Sequence, residues 1–97
     1  MRRAVITGLG VVSCIGNNKQ EVLDSLRKGR SGIVTTETFR EMGLRSQVSG
    51  SCHIDLKEHI DRKVLRFMGD AAAFAFISMK QAIADAGLDV DDVSNVR

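Results

Sequence analysis

The last third of the chain carries the clearest pattern of apolar and polar positions. Apolar residues recur with helical spacing up to Ala86, where Gly87 can end a helix. Asp61 can cap the start of this helical stretch. Gly69 can interrupt it, with Asp70 acting as a second cap. We therefore predict a short helix after Asp61 and a long helix that ends at Ala86.

One stretch of the long helix is apolar on every side. Residues 71–77 read AAAFAFI and contain no polar side chain. A helix of this kind must be covered all round by other parts of a protein. The rest of the chain predicts only one other clear helix and two or three short strands, which are too few to cover it. We therefore expect residues 1–97 to be part of a larger protein and not an independent domain.

The chain opens with an apolar segment and a glycine turn. Residues 4–7 are short and mostly apolar, which is typical of a strand buried on both faces. Gly8 and Gly10 then form a G-x-G pattern, which also begins dinucleotide-binding loops. Here Ser13 stands at the third glycine position, and the next helix begins several residues too late. The pattern therefore favours a structural turn over a nucleotide site.

The middle of the chain predicts shorter helices and strands. Asn18 and Glu21 form a capping-box pattern at the start of a helix that Gly29 can end. Residues 34–45 are polar and irregular, with room for one helical turn. Residues 46–52 are typical of an exposed strand. Together with the C-terminal helices, these elements predict a mixed α/β chain.

Composition limits the classes of function. The chain is 43% hydrophobic and 27% charged, which is ordinary for a folded protein. A net charge of +2 is too small to indicate nucleic acid or a membrane surface as the partner. No segment approaches the roughly 20 apolar residues of a membrane span. Two cysteines without a secretory leader indicate free thiols in a reducing compartment, and we expect a cytoplasmic protein.

The reactive side chains form no familiar catalytic or metal-binding pattern. Cys14 has no histidine near it in sequence, so packing is favoured over a role as a nucleophile. Cys52, His53 and His59 could bind a metal ion, but a fourth ligand is missing. Their spacing also matches no usual zinc motif. We expect these three to be ordinary polar surface residues.

A group of positive charges is more informative. Arg62 and Arg66 are i, i+4 neighbours at the start of the predicted helix, and Lys63 lies beside them. Cations at a helix N-terminus oppose the helix dipole, which is a small cost. The three side chains could form a solvated face, or they could attract an acidic partner or a phosphate. The residues alone leave both interpretations open.

The order of the motifs indicates a known family. The relevant stretches are, in order, MRRAVITGLGVVSCIGNN, LRKGRSGI, GLRSQVSG and IDRKVLRFMGDAAAFAFISMKQAIADAGL. They resemble the N-terminus of bacterial β-ketoacyl-acyl-carrier-protein synthases, and the resemblance covers essentially all 97 residues. The segment IDRKVLRFM resembles most the type I branch of this family. The resemblance implies a thiolase-type fold, layered α-β-α-β-α, of which the chain is the first part. It also implies that the TGLG turn leaves a core strand and binds no nucleotide.

The resemblance further implies a fatty-acid-elongating acyltransferase. Such enzymes condense malonyl carrier protein, with loss of carbon dioxide, with an acyl chain held as a thioester on a cysteine. Two histidines and a lysine assist, and all four catalytic positions lie beyond Arg97. Cys14, Cys52, His53 and His59 match none of them, so we expect the chain alone to be inactive. The family acts as homodimers and needs no bound cofactor, because phosphopantetheine arrives on the carrier protein.

The same resemblance changes the interpretation of the positive charges. In the family, the segment that matches Arg62, Lys63 and Arg66 contacts the acidic helix of acyl carrier protein, and the arginine matching Arg45 lies nearby. Docking of acyl carrier protein is therefore favoured over a solvated face. Two alternatives stay open: a type II synthase, and a carrier-protein-binding module without catalysis. A soluble module would expose AAAFAFI, which argues against the second alternative.

Overall fold

The computed structural model describes residues 1–94. In chain order, these residues form α1 (Lys19–Lys28), β1 (Ile33–Thr35), α2 (Glu37–Glu41), β2 (Val48–Gly50), α3 (Leu56–His59), α4 (Arg62–Leu65), α5 (Asp70–Ala86) and α6 (Val90–Val93). They divide into two compact units. The first unit combines Met1–Val12 with the described residues from Asp55 onward, and the second unit is Ser13–Ile54. The predicted mixture of helices and short strands is confirmed.

In the second unit, α1 begins and ends as predicted. The Asn18 side chain accepts a hydrogen bond from the backbone N–H of Glu21 at 3.0 Å. The Glu21 carboxylate accepts from the Asn18 side-chain amide at 2.8 Å, so the reciprocal contact uses the side chain and not the main chain of Asn18. Gly29 ends the helix with φ of 68°, a left-handed conformation that favours glycine.

The second unit also contains a small antiparallel pair of strands. The register pairs Ile33 with Gly50 and Thr35 with Val48. Strand β2 lies within the strand predicted at residues 46–52, and α2 supplies the predicted helical turn. Strand β1 was not predicted, because three residues are too few to show a strand period.

In the first unit, the predicted division of the C-terminal helical stretch is confirmed. The Asp61 side chain caps α4 by accepting from the backbone N–H of Lys63 at 3.1 Å. The prediction that Asp70 caps α5 is wrong, because Gly69 has the extended cap conformation and Asp70 is the first helical residue. There its carboxylate complements the positive end of the helix dipole. Gly87 ends α5 in the left-handed conformation, with φ of 71°.

The strand predicted at residues 4–7 is not formed. Val5 is 79% exposed and Ile6 is 91% exposed. A strand buried on both faces requires neighbouring strands that pair with its N–H and C=O groups. Within residues 1–94, no strand pairs with this segment, so its apolar pattern alone does not produce a strand.

The glycine turn packs on helix α5. A Cβ atom added to Gly10 would overlap the carbonyl oxygen of Ser78, and one added to Gly8 would overlap that of Ala82. The two glycines therefore allow the backbone of the N-terminal segment to lie directly against the helix.

The described residues bury few apolar side chains. The buried ones are Ile60, Ala73 and Ile77. On another face of α5, Phe76 is 37% exposed and Met79 is 59% exposed. The apolar stretch of α5 is thus covered on one side only by residues 1–94. None of the described helices is both long and apolar enough to cross a membrane.

Candidate functional site

The positively charged side chains singled out from the sequence lie together in the first unit. Arg62, Lys63 and Arg66, which we call the basic cluster, line a shallow surface depression of about 340 Å³. Lys57 from helix α3 and Leu65 complete its lining. The four cationic side chains are exposed. The depression therefore presents positive charge around a small apolar floor.

Two short capped helices position these side chains. Asp55 caps α3 by accepting from the backbone N–H of Lys57 at 3.0 Å, and Asp61 caps α4 in the same way. Ile60 lies between the two helices and is only 4% exposed. Because this side chain is buried and both helix starts are capped, the cations that follow each cap remain on the outside.

The charge of the basic cluster is not balanced by ion pairs. Within residues 1–94, neither its three side chains nor Lys57 forms one. Elsewhere in the chain cations do find partners: Asp24 binds Lys28 at 3.2 Å and Arg30 at 2.6 Å. The cluster therefore retains its full positive charge for an external anion, which it would attract by electrostatic steering.

An aromatic ring, which the sequence did not single out, lies beside the cluster. The guanidinium carbon of Arg66 is 4.9 Å from the centroid of the Phe67 ring, within the range of a cation–π interaction. Phe67 is 80% exposed. The only sequence signal was its place directly after the last cation of the cluster.

Arg45, the fourth predicted docking residue, belongs to the second unit. It is exposed and, within residues 1–94, forms no ion pair. It is not among the residues that line the depression described above. Its part in docking remains a prediction from the family resemblance.

Two backbone N–H groups at the glycine turn already have acceptors on helix α5. The N–H of Leu9 donates to the Asp85 carboxylate at 3.0 Å. The N–H of Val11 donates to the side-chain oxygen of Gln81 at 3.1 Å. A phosphate loop needs such N–H groups for its anion, and here a carboxylate of α5 accepts one of them. The geometry supports a structural role for the turn.

Cys14 lies at a closely packed point of the second unit. A Cβ atom on Gly32 would come within 2.8 Å of its sulfur, and one on Gly50 within 2.9 Å. His53, distant in sequence, lines the same depression of about 190 Å³ as Cys14. Cys14 is a free thiol. Its surroundings are those of a packed small side chain.

The other candidate ligands are divided between the units. Cys52 and His53 belong to the second unit, whereas His59 ends helix α3 in the first. Among residues 1–94, no group of three or more His, Cys, Asp or Glu side chains is arranged to hold a metal ion.

Comparison with known proteins gives a consistent result. A sequence profile described as "Beta-ketoacyl synthase, N-terminal domain" matches residues 1–97. The chain is 61% identical over 97 residues to 3-oxoacyl-[acyl-carrier-protein] synthase 1 of Haemophilus influenzae, covering 100% of the chain and 24% of that protein. It is 59% identical over 95 residues to synthase 1 of Escherichia coli, covering 98% of the chain and 23% of that protein.

A more distant relative bears a different name. Synthase 2 of Staphylococcus aureus is 31% identical over 96 residues, with 94% of the chain and 22% of that protein covered. The chain thus spans about a quarter of the length of the curated relatives it matches. The family predicted from the sequence motifs is confirmed. Because the profile covers the chain from its first residue to its last, the chain belongs to the β-ketoacyl synthase family, and all of its residues match that family's N-terminal domain.

Proposed function

We propose that the chain is the N-terminal part of a type 1 3-oxoacyl-acyl-carrier-protein synthase, an acyltransferase that elongates fatty acids. The observation that supports this proposal is the difference between two sequence identities, each measured over almost the whole chain. Identity is 61% to a relative named synthase 1 and 31% to a relative named synthase 2. This difference favours type 1 over the type 2 alternative.

The proposed reaction is a decarboxylative condensation. The malonyl thioester on the carrier protein loses carbon dioxide, and the resulting carbanion attacks the carbonyl carbon of an acyl-enzyme thioester. A carbon–carbon bond forms, the carbon–sulfur bond to the enzyme breaks, and the cysteine leaves as a thiolate. We assign the catalytic cysteine, two histidines and lysine to the rest of the protein, so residues 1–97 are proposed to be inactive alone.

We further infer that the whole protein has the layered α-β-α-β-α thiolase-type fold. The exposed apolar side chains of the first unit support this proposal. Ile6 is 91% exposed and Met79 is 59% exposed, as expected for core residues whose covering layers lie elsewhere in the protein. A cytoplasmic homodimer is proposed from the family resemblance, and the two free thiols are consistent with a reducing compartment.

The proposed role of residues 1–97, besides core structure, is docking of acyl carrier protein. The basic cluster supports this role because its cations are exposed and lack ion pairs within residues 1–94. An acidic helix would meet Arg62, Lys63 and Arg66 around the depression that they line. Arg45, in the second unit, is proposed from the family resemblance alone to take part in docking as well.

The reaction is tested with the full-length protein. Acyl carrier protein loaded with an acyl chain and carrier protein loaded with malonate are mixed with the enzyme, and the products are measured by mass spectrometry. We expect 3-oxoacyl carrier protein and one carbon dioxide per condensation. Binding of carrier protein without any condensation would favour the non-catalytic module instead.

Docking is tested by reversing charge in the full-length protein. The double variant Arg62→Glu, Lys63→Glu is expected to raise the KM for carrier protein about tenfold, since each exposed charge pair lost is worth up to about 1 kcal/mol. The kcat should stay the same, and the dependence of KM on salt should weaken. Arg27→Glu is a matched control, because Arg27 is exposed on α1 and does not line the depression. An unchanged KM in the double variant would contradict the docking proposal.

A further inference from the structure

The aromatic residue at the end of α4 is unusual for this chain. Phe67 is 80% exposed, whereas Phe76 is 37% exposed and the two remaining phenylalanines are partly buried. Packing within residues 1–94 gives no reason for a phenylalanine at this position. Its ring instead contacts one of the cations of the basic cluster.

The contact places the guanidinium group of Arg66 against the Phe67 ring. Its central carbon lies over the Phe67 ring, 4.9 Å from the ring centroid. A guanidinium is planar and carries five N–H donors in its own plane. The ring offers these donors no oxygen acceptor, and within residues 1–94 no carboxylate pairs with Arg66. The donors can therefore bind a carboxylate of a partner.

The backbone holds the two residues in this arrangement. The N–H of Arg66 donates to the carbonyl of Arg62 at 3.2 Å, and that of Phe67 donates to Val64 at 3.1 Å. These hydrogen bonds close the turn in which α4 ends, and they hold the main chains of Arg66 and Phe67 next to each other. A long side chain that already rests on a neighbouring ring loses less conformational freedom when it binds a partner.

We propose that Phe67 is a positioning residue, whose ring holds the Arg66 guanidinium so that its N–H fork receives a carboxylate of the acidic carrier-protein helix. This inference rests on the docking role proposed for the basic cluster and adds a residue to it. A fork of two parallel N–H donors gives geometric specificity that a lone positive charge does not. Phe67 is thereby assigned an effect on recognition without contributing any charge.

The first unit contains a second cation–π pair, which differs from the Arg66–Phe67 pair in the chemistry of its cation. The Lys80 ammonium lies 5.6 Å from the centroid of the Phe76 ring on α5. A lysine ammonium is a point charge without a planar fork, so a ring beneath it sets no bidentate geometry. Neither residue of that pair lines the depression of the basic cluster.

The test compares three substitutions in the full-length enzyme, with KM for acyl carrier protein and kcat measured separately. Phe67→Ala is expected to raise KM about two- to fivefold, the range of an exposed cation–π contact, with kcat unchanged. Phe67→Leu keeps an apolar side chain but no ring face, so it should behave like Phe67→Ala. Phe67→Tyr keeps the ring face and should restore the KM of the unsubstituted enzyme.

The coupling between the two residues is tested on an Arg66→Ala background. If Phe67 acts through Arg66, Phe67→Ala has no further effect on KM there. An equal effect with and without Arg66, or a KM kept by Phe67→Leu, would overturn the inference in favour of a direct apolar contact. A fall in thermal stability or kcat at constant KM would also overturn it, because Phe67 would then only pack.

The KM values of two variants distinguish a failure of this inference from a failure of the docking proposal on which it rests. If the double charge reversal at Arg62 and Lys63 raises KM but Phe67→Ala does not, only the role of Phe67 is lost. If the double charge reversal leaves KM unchanged, docking at the basic cluster fails, and the positioning role of Phe67 fails with it.

Discussion

Helices α4 and α5 follow one another in the first unit, but their surfaces differ. Helix α4 exposes the basic cluster, with Val64 and the following Phe67 beside it, whereas α5 exposes the apolar side chains of Phe76 and Met79. Solvated cations cost little at a protein surface, whereas a group of exposed apolar side chains is stabilised by being covered. The α4 surface can therefore remain exposed and bind a partner transiently. The α5 surface is of the kind that a folded protein covers permanently.

The sharpest contrast between the helices is expected from one aspartate placed on each, in the full-length protein. Met79→Asp should lower the free energy of unfolding by about 4 kcal/mol, because it removes an apolar side chain from a covered face and places an unpaired charge there. Lys63→Asp, the matched change on α4, should alter it by less than about 0.5 kcal/mol. Chemical denaturation measures both. Equal effects would remove the distinction between the two surfaces.

The next largest effect is expected where α5 meets the glycine turn. Gly10→Val should destabilise the full-length protein by about 3 kcal/mol, since the new side chain would overlap the backbone of α5 near Ser78. Gly69→Ser is the matched control, because a side chain at Gly69 meets no atom within 4 Å and serine is a favoured helix cap. Thermal unfolding with similar midpoints for the two variants would contradict the close packing of this turn.

The smallest effect is expected at the start of α4. Asp61→Ala removes the bond to the Lys63 N–H and should cost about 1 kcal/mol of local helix stability. Asp61→Asn removes the same charge but keeps a capping oxygen, so it isolates the cap from the charge. Hydrogen exchange at the amides of α4 should quicken in the alanine variant only. Faster exchange in both variants would show that the carboxylate charge matters more than the cap.

Helix ends were predictable because a few neighbouring residues determine them. Asn18 and Asp61 cap helices as predicted, and Gly29 and Gly87 end them. Each of these interactions involves residues within one turn of the cap, so it can be inferred without knowing the fold. At the start of α5, the cap was predicted one residue too late, at Asp70. Gly69 has the extended backbone conformation of a cap, although it has no side chain that could accept a hydrogen bond.

Strands were less predictable because they depend on distant partners. Residues 4–7 have the composition of a core strand, but within residues 1–94 no strand pairs with them. Strand β1 was missed for the opposite reason, since Ile33–Thr35 is too short to show a period and exists through its pairing with β2.

The candidate site was predictable only in part. The i, i+4 spacing of Arg62 and Arg66 correctly indicated one group of cations on α4. Lys57 was missed because it comes from α3 and joins the group only through the turn at Ile60. The contact between Phe67 and Arg66 was missed because a contact between a ring and a guanidinium depends on side-chain geometry that spacing does not determine.

Hydrogen–deuterium exchange of the full-length protein, with and without acyl carrier protein, examines both surfaces at once. We expect carrier protein to slow exchange at the amides of residues 57–67, which carry the basic cluster and Phe67. The amides of α5 should exchange slowly in both states, because we propose that the rest of the protein covers this helix. Unchanged exchange at residues 57–67, with protection by carrier protein on α5 instead, would contradict the assignment of α4 to docking and α5 to the core.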